Sequence, residues 1–224
     1  MTTLRFLGHS CFQLYNDNDS LIFDPFLKDN PFQIAQFSDI SCNYILVSHG
    51  HFDHLGDAIA IAKNTGATIV STAEIANLVK GEGCNAHTMH LGGKKAFDFG
   101  YVRVTLAFHG SGVPGGHACG FVVNFHGTTV YFAGDTGLFS DMALLGRLES
   151  IDYALLPIGD NFTMGPGDAI EAADMLKAKT VIPMHYDTWP LIAQSPEAYK
   201  EAVEARVIGT KVQILAPGQE LVIS

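Results

Sequence analysis

Residues 49–54 read His49-Gly50-His51-Phe52-Asp53-His54, the pattern H-x-H-x-D-H. At this protein's own residue frequencies, chance produces that pattern in about one chain in a thousand, which marks it as a motif. Its spacing has a physical use. In an extended loop, residues two apart point the same way, so His49 and His51 can converge on one cation. Asp53 and His54 lie beyond a change of backbone direction and can serve a second. Gly50 removes side-chain bulk between the first two. Imidazole with carboxylate is a borderline donor set, suited to zinc, manganese or iron.

Four side chains cannot complete two metal shells, so further ligands must come from elsewhere. Three candidates follow predicted strands: His109 after Tyr101–Phe108, Asp135 after Val130–Ala133, and His185 after Thr180–Pro183. In α/β proteins, ligand groups gather in loops beyond the carboxyl ends of strands.

The strands themselves fall into two series. The first opens with short runs, Thr3–Leu7, Cys11–Tyr15 and Ser20–Phe23, separated by turn-rich residues, which reads as an antiparallel meander. After a loop with a short helical turn at 25–40 come a buried strand Tyr44–Val47, a helix Asp57–Lys63, a strand Ala67–Ser71 and a helix Ala73–Lys80 stopped by Gly81. The second series has strands near 95–98, 101–107, 119–125 and 128–132, the last two joined by a hairpin-like His126-Gly127. It continues with a helix near 140–148, a strand Tyr153–Pro157, a helix near 168–177 and a strand Thr180–Pro183. A helix opened by Ser195-Pro196-Glu197 and strands near 211–215 and 220–223 complete it. Each series runs from a β meander into alternating strand and helix, with no linker between them. Two such sheets face to face with helices outside make an α/β (α+β) protein, a four-layer α/β/β/α sandwich in one domain over 1–224.

The ordered series of H-x-H-x-D-H, a later lone His, a Gly-Asp-Thr turn at 134–136 and a last His resembles the ligand series of the metallo-β-lactamase superfamily, over nearly the whole chain. Four stretches resemble one branch of it, the small metal-dependent hydrolases related to the ascorbate-phosphate lactonase-like proteins. They are Gly8-His9-Ser10-Cys11-Phe12, Asp24-Pro25-Phe26, residues 156–165 (LPIGDNFTMG) and Pro183-Met184-His185-Tyr186. The resemblance implies that His49, His51 and His109 hold one metal, that Asp53, His54 and His185 hold the other, and that Asp135 bridges both. His117, Asp187 and Trp189 depart from that branch, where a non-His residue, Asn and Phe are usual; they bear on the pocket and so on the substrate.

Four further residues are candidates for backing the ligands or meeting substrate. His9 sits in a turn after the first strand. Asp24 ends a strand before a proline, placed to accept the second N–H of a ligand His. Asp160 and Asn161 lie in a strand-to-helix loop that reads as a pocket wall. His87, His90 and His126 read as surface or turn residues.

Composition narrows the function. With 13 Lys+Arg against 23 Asp+Glu the formal net charge is −10, which supplies neither the basic face of a nucleic-acid binder nor a surface for anionic membranes. The cysteines Cys11, Cys42, Cys84 and Cys119 form no C-x-x-C pair and read as free buried thiols. The first residues lack the h-region of a signal peptide, and no apolar run approaches about 18 residues, so a cytoplasmic protein is expected. The expected activity is metal-dependent hydrolysis. A dinuclear centre, zinc first with manganese or iron as alternatives, and its bridging hydroxide, fixed by Asp53 and Asp135, would cleave an ester-type bond of a small molecule, lactone or phosphodiester. An iron-dependent, dioxygenase-like oxidoreductase and a non-catalytic metal-binding protein are the competing readings. A homo-oligomer is compatible with the sequence but not legible in it.

Overall fold

The computed structural model describes residues 1–223. The first meander is β1 (Thr3–Gly8), β2 (Cys11–Tyr15) and β3 (Ser20–Phe23); β4 (Tyr44–Leu46), α1 (Phe52–Leu55), α2 (Ala58–Thr65), β5 (Thr68–Thr72), α3 (Ala73–Gly81) and β6 (Ala86–Met89) follow. The second series is β7 (Lys94–Phe97), β8 (Gly100–Leu106), β9 (Cys119–Phe125), β10 (Thr128–Phe132), α4 (Met142–Leu148), β11 (Tyr153–Pro157), α5 (Pro166–Leu176), β12 (Thr180–Met184), α6 (Pro196–Arg206), β13 (Lys211–Val212) and β14 (Glu220–Val222). Among the described residues no helix is long and apolar enough to cross a membrane.

The strands form two seven-stranded sheets, β14-β1-β2-β3-β4-β5-β6 and β13-β12-β11-β10-β9-β8-β7. Both mix antiparallel pairing in the meander with parallel pairing after it, at β3/β4 in one sheet and β10/β11 in the other. The two halves therefore repeat one architecture without repeating a sequence, and β14 crosses back to pair with β1.

Side-chain alternation sorts the first sheet into an inner and an outer face. Leu21, Phe23, Leu46 and Val70 join the core shared with Val102, Val104, Phe121 and Phe132 of the second sheet. Their neighbours Ile22, Ile45, Val47 and Ile69 pack instead with Ile61 of α2 and with Ile75 and Val79 of α3. A period of two with both faces apolar is what a sheet between a second sheet and a helical layer requires. The result is the four-layer sandwich.

Strand direction explains where the site forms. β1 and β3 are each antiparallel to β2, and β4 is parallel to β3, so these three end at one edge of the first sheet. In the second sheet β8 and β10 are each antiparallel to β9, and β11 and β12 are parallel to β10, so these four also end together. Backbone bonds clamp the two edges. The Cys119 amide donates to the Ser48 carbonyl at 3.0 Å, and the His185 amide to the His9 carbonyl at 2.8 Å.

The differences from the sequence reading are local. The β9–β10 connection is a tight hairpin with His126 and Gly127 both at positive φ, as a type I′ turn needs. His126 also carries a contact the sequence does not reveal, Nε2 lying 2.8 Å from Asp19 Oδ2 of the opposite sheet's β2–β3 turn. β6 was not expected, because AHTM has neither a full apolar run nor a clean alternation. β13 covers only two of the five residues expected at 211–215. All four cysteines are buried and free.

Phe132 and Phe23 stack across the sheet interface with ring centroids 4.8 Å apart, and both are fully buried. Phe132→Ala should cost about 3–5 kcal/mol, because the rigid neighbouring strands cannot collapse into the space. Urea denaturation of the parent and the variant measures it.

Candidate metal centre

Past the end of β4, the loop from Ser48 to His51 presents two imidazoles to one point. His49 Nε2 lies 2.9 Å from His51 Nδ1, which lies 3.2 Å from His109 Nε2 in the loop after β8. Donors of a tetrahedral zinc site sit about 3.3 Å apart, given zinc–nitrogen distances of about 2.0–2.1 Å. Two loops must approach closely for this. Gly112, at φ +68°, lies so near Gly50 that a Cβ would overlap the Gly50 backbone. The Gly50 amide donates to the Ser111 carbonyl at 2.7 Å.

A network behind these rings sets their tautomers. Asp24, fully buried, accepts from the Ser48 amide at 2.7 Å and from the Ser48 hydroxyl. With that hydroxyl's proton committed, His49 Nδ1 must donate to Ser48 Oγ, 2.9 Å away. His49 Nε2 is then left with a lone pair facing the other two rings. Asp24 Oδ2 also lies 2.7 Å from His54 Nδ1, so one carboxylate orients two imidazoles.

α1 is a single turn opening after His51, and it carries Asp53 and His54 to a second cluster. Asp53 Oδ2 lies 3.2 Å from His9 Nε2, 3.7 Å from His54 Nε2 and 3.9 Å from His185 Nε2. The four residues form one group with the spacing a metal ion needs, and His49, His51 and His109 form another. Asp135 stands between them. Its Oδ2 is 3.2 Å from His54 Nε2, 3.1 Å from His185 Nε2 and 3.5 Å from His109 Nε2. Gly134, at φ +62°, makes the turn that aims it, against Cys119 and Ser48.

His9 differs from its neighbours. Its Nδ1 lies 2.7 Å from Thr188 Oγ1, and burial pushes its pKa down to about 4. A neutral ring there donates from Nε2 to the Asp53 carboxylate and accepts the Thr188 proton at Nδ1. Neither nitrogen keeps a free lone pair, so His9 holds Asp53 rather than competing with it.

The electrostatics divide the cluster. Burial lowers the pKa of His49 well below the usual imidazole value and also lowers that of His109. Burial acts the same way on His54, but the carboxylates of Asp135 and Asp24 outweigh it and hold its pKa well above that value. For Asp135, burial raises the pKa, and the charges of His54 and His185 outweigh it; for Asp53, the hydrogen bond from His9 and the charge of His54 do so. Both carboxyls stay ionised well below the ordinary carboxylate range.

These residues fit divalent cations on two observations. His54 Nε2 and Asp135 Oδ1 are buried and make no hydrogen bond, His54 Nε2 meeting Asp135 Oδ2 only as a charged contact at 3.2 Å, an expensive arrangement for an interior of side chains alone. One proton on His51 Nδ1 cannot satisfy both rings that face it, whereas a cation accepts a lone pair from each. His9, Asp24 and His185 also hold positive φ, backbone strain of the kind that persists where surroundings over-determine a site.

A cavity of about 430 Å³ opens onto the cluster, lined by His51, Asp53, His109, Asp135 and His185 together with Phe52, Phe162, Trp189 and Leu191. Asp160 and Asn161 are not among its walls. Both are at positive φ, forming the turn that carries Phe162 outward, and the Asp160 carboxylate accepts from the Asn161 amide. His117 is exposed and nearest in aromatic contact to His90, away from the cluster. The sequence reading missed Ser48 and Thr188, whose hydroxyls reach the rings from positions that no spacing rule marks.

A model of the beta-lactamase superfamily domain matches residues 21–186. A UPF0173 metal-dependent hydrolase of Natranaerobius thermophilus is 54% identical over 218 residues, covering 97% of this chain and 98% of that protein. One of Desulforamulus reducens is 54% identical over 226 residues, with the same coverage, 97% and 98%. The solved structure of Igni18, a metallo hydrolase from Ignicoccus hospitalis, superposes with a TM-score of 0.92 at 33% identity, covering 98% of this chain and 97% of that one. Through the family model, the sequence identity and the shared fold, this chain belongs to the beta-lactamase superfamily and, within it, to the UPF0173 metal-dependent hydrolases.

Proposed function

We propose that this protein, acting as one domain over residues 1–224, hydrolyses an ester-type bond of a small molecule, a lactone or a phosphodiester, at a centre of two divalent cations. The observation that carries the reading is Asp135 Oδ2, within 3.5 Å of imidazoles belonging to both clusters. His49, His51 and His109 would hold one cation, and Asp53, His54 and His185 the other, with Asp135 shared. The donor set suits zinc first, then manganese or iron. Two such ions supply Lewis acidity and a water acidified toward neutrality.

The protein's own groups then have distinct tasks. Asp24 and Ser48 fix the rings of His49 and His54, and His9 with Thr188 fixes the Asp53 carboxylate. Asp53 and Asp135, ionised at neutral pH, act as acceptors that orient the O–H of the attacking water. The walls of the cavity exclude bulk solvent from the reacting bond.

Elemental analysis of the zinc- or manganese-saturated protein should find close to two ions per chain. Asp135→Ala should hold at most one tightly and lose hydrolysis almost entirely, since two cations would face each other without the shared carboxylate. At ~4 Å and an effective dielectric near 20, even two unit charges repel by roughly 4 kcal/mol. His126→Ala, which removes the contact to Asp19 of the opposite sheet and the ring's packing on Phe125, should keep metal and activity and cost about 1 kcal/mol. Two ions retained by Asp135→Ala with full turnover would refute the assignment.

Metal uptake should also release protons. In the metal-free protein His54, its pKa raised, is protonated at pH 7, whereas His49 and His109, theirs lowered, are already neutral. Filling the site must displace the His54 proton, in addition to any proton lost by the metal-bound water. The His54 contribution disappears as pH rises above its raised pKa. Calorimetric titration in buffers of different ionisation enthalpy counts it.

Chelation should lower the melting temperature as well as activity, because the ligands arrive from both sheets and bind only in the native state. At free metal one hundred times Kd, each site contributes about 2.7 kcal/mol. Equal melting temperatures with and without chelator would contradict a cross-sheet site.

A further inference from the structure

We infer that the mouth of this site selects substrates carrying an uncharged, apolar tail, with Phe52, Phe162, Trp189 and Leu191 as the specificity-determining residues; the inference rests on the hydrolase reading and narrows its substrate class. Beyond the clustered His and Asp residues, every wall of the cavity is one of these four side chains. No Lys or Arg lines it among the described residues. Recognition of a phosphate or carboxylate normally employs such a cation away from the reacting atoms, through charge-assisted hydrogen bonds. A phosphodiester would find none here, whereas the alkyl part of a lactone or carboxylic ester would find apolar walls on several sides.

Exposure supports the same reading. Phe52 is 69% exposed, Leu191 64% and Phe162 51%, and they gather around one opening instead of scattering over the surface. Contiguous exposed apolar surface of this kind marks a place that something covers. Three of the four come on segments that deliver the cluster, and the fourth on the loop after the neighbouring strand β11. Phe52 stands between His51 and Asp53, Trp189 and Leu191 follow His185, and Phe162 lies on the loop after β11. Trp189 packs against the rings of His9 at 5.0 Å, Phe52 at 6.0 Å and Phe26 at 6.2 Å, so one wall is a cluster of aromatic rings. The volume, about 430 Å³, is that of a small-molecule pocket and leaves room for an alkyl tail of several carbons beside the reacting bond.

The favoured reaction is therefore hydrolysis of a neutral ester or lactone. Water's oxygen bonds to the carbonyl carbon, the bond from that carbon to the ester oxygen breaks, and the proton passes to the departing alkoxide, giving a hydroxy acid from a lactone.

Trp189 is the single tryptophan of the protein and reports directly on this wall. The test titrates the metal-replete, full-length protein with unreactive 1-alkanols from butanol to decanol, following Trp189 fluorescence. Affinity should rise about three- to fourfold per methylene until the cavity is full, as expected for burial of a CH₂ group. Phe162→Ala and Leu191→Ala should reduce the increment to less than twofold, with metal content and melting temperature as in the parent to show intact folding. In parallel, kcat/KM is measured for lactones of increasing alkyl length and for bis(p-nitrophenyl) phosphate, and should climb with length and favour the lactones. Binding that ignores alkyl length overturns the inference, whether or not the phosphodiester is cleaved. Length-dependent binding without hydrolysis of any substrate upholds the apolar recognition and overturns the ester-type substrate reading instead. A dimer that Leu191→Asp converts to monomer, with Trp189 blind to alkanols, would give the rim to a second copy of the protein and refute its role in substrate selection.

Discussion

One carboxylate oxygen, Asp135 Oδ2, lies within 3.5 Å of imidazoles from the loops after β4, β8 and β12, and so from both sheets. A buried anion left unpaired costs several kcal/mol, and so does a buried imidazolium, so neither sheet edge is stable there without the other. The surrounding architecture follows from holding these charges together. Parallel strand ends bring the loops to one seam, the glycines at 50, 112 and 134 let backbones approach, and Asp24 backs the His54 ring directly and the His49 ring through Ser48. The strained φ values of His9, Asp24 and His185 persist because fixed partners hold each residue in place.

The fold was legible in the sequence because its signals are redundant. Val47 and its neighbours form an apolar run ending in histidines, and each later ligand also follows such a run. β13 and β6 were misjudged because edge strands bury little, so their residues carry no strong pattern. The ligand series was legible for a different reason, since two imidazoles separated by one residue have few structural uses. The supports were not. Ser48 and Thr188 act through single hydroxyls, and nothing in the sequence distinguishes such a residue from any other Ser or Thr. The rim was equally hidden, because Phe52, Phe162 and Leu191 lie outside any periodic segment and their grouping exists only in three dimensions.

The cluster also explains why a protein with a formal charge of −10 can present a site for an electron-rich substrate. Local field, not net charge, decides what approaches. Cations within the cluster would reverse the sign of the field at the cavity floor, while the walls above remain neutral. On the proposed reading, a substrate would meet an apolar entrance first and a charged floor only where its reactive bond lies.

The pairing of β14 with β1 matters for how the molecule comes into being. Thr3 finds its partner in Val222, so the edge of the first sheet stays open until roughly 200 further residues have emerged, a separation that slows folding through loop-closure entropy. Until β14 arrives, β1 has no partner on that side, an exposed template for other polypeptides. Arg5, beside Glu220 in the finished sheet, places a positive charge on that edge in the meantime. The edge strand β1 therefore depends on β14 to seal it, and a polypeptide truncated before β14 would carry an unpaired, sticky margin.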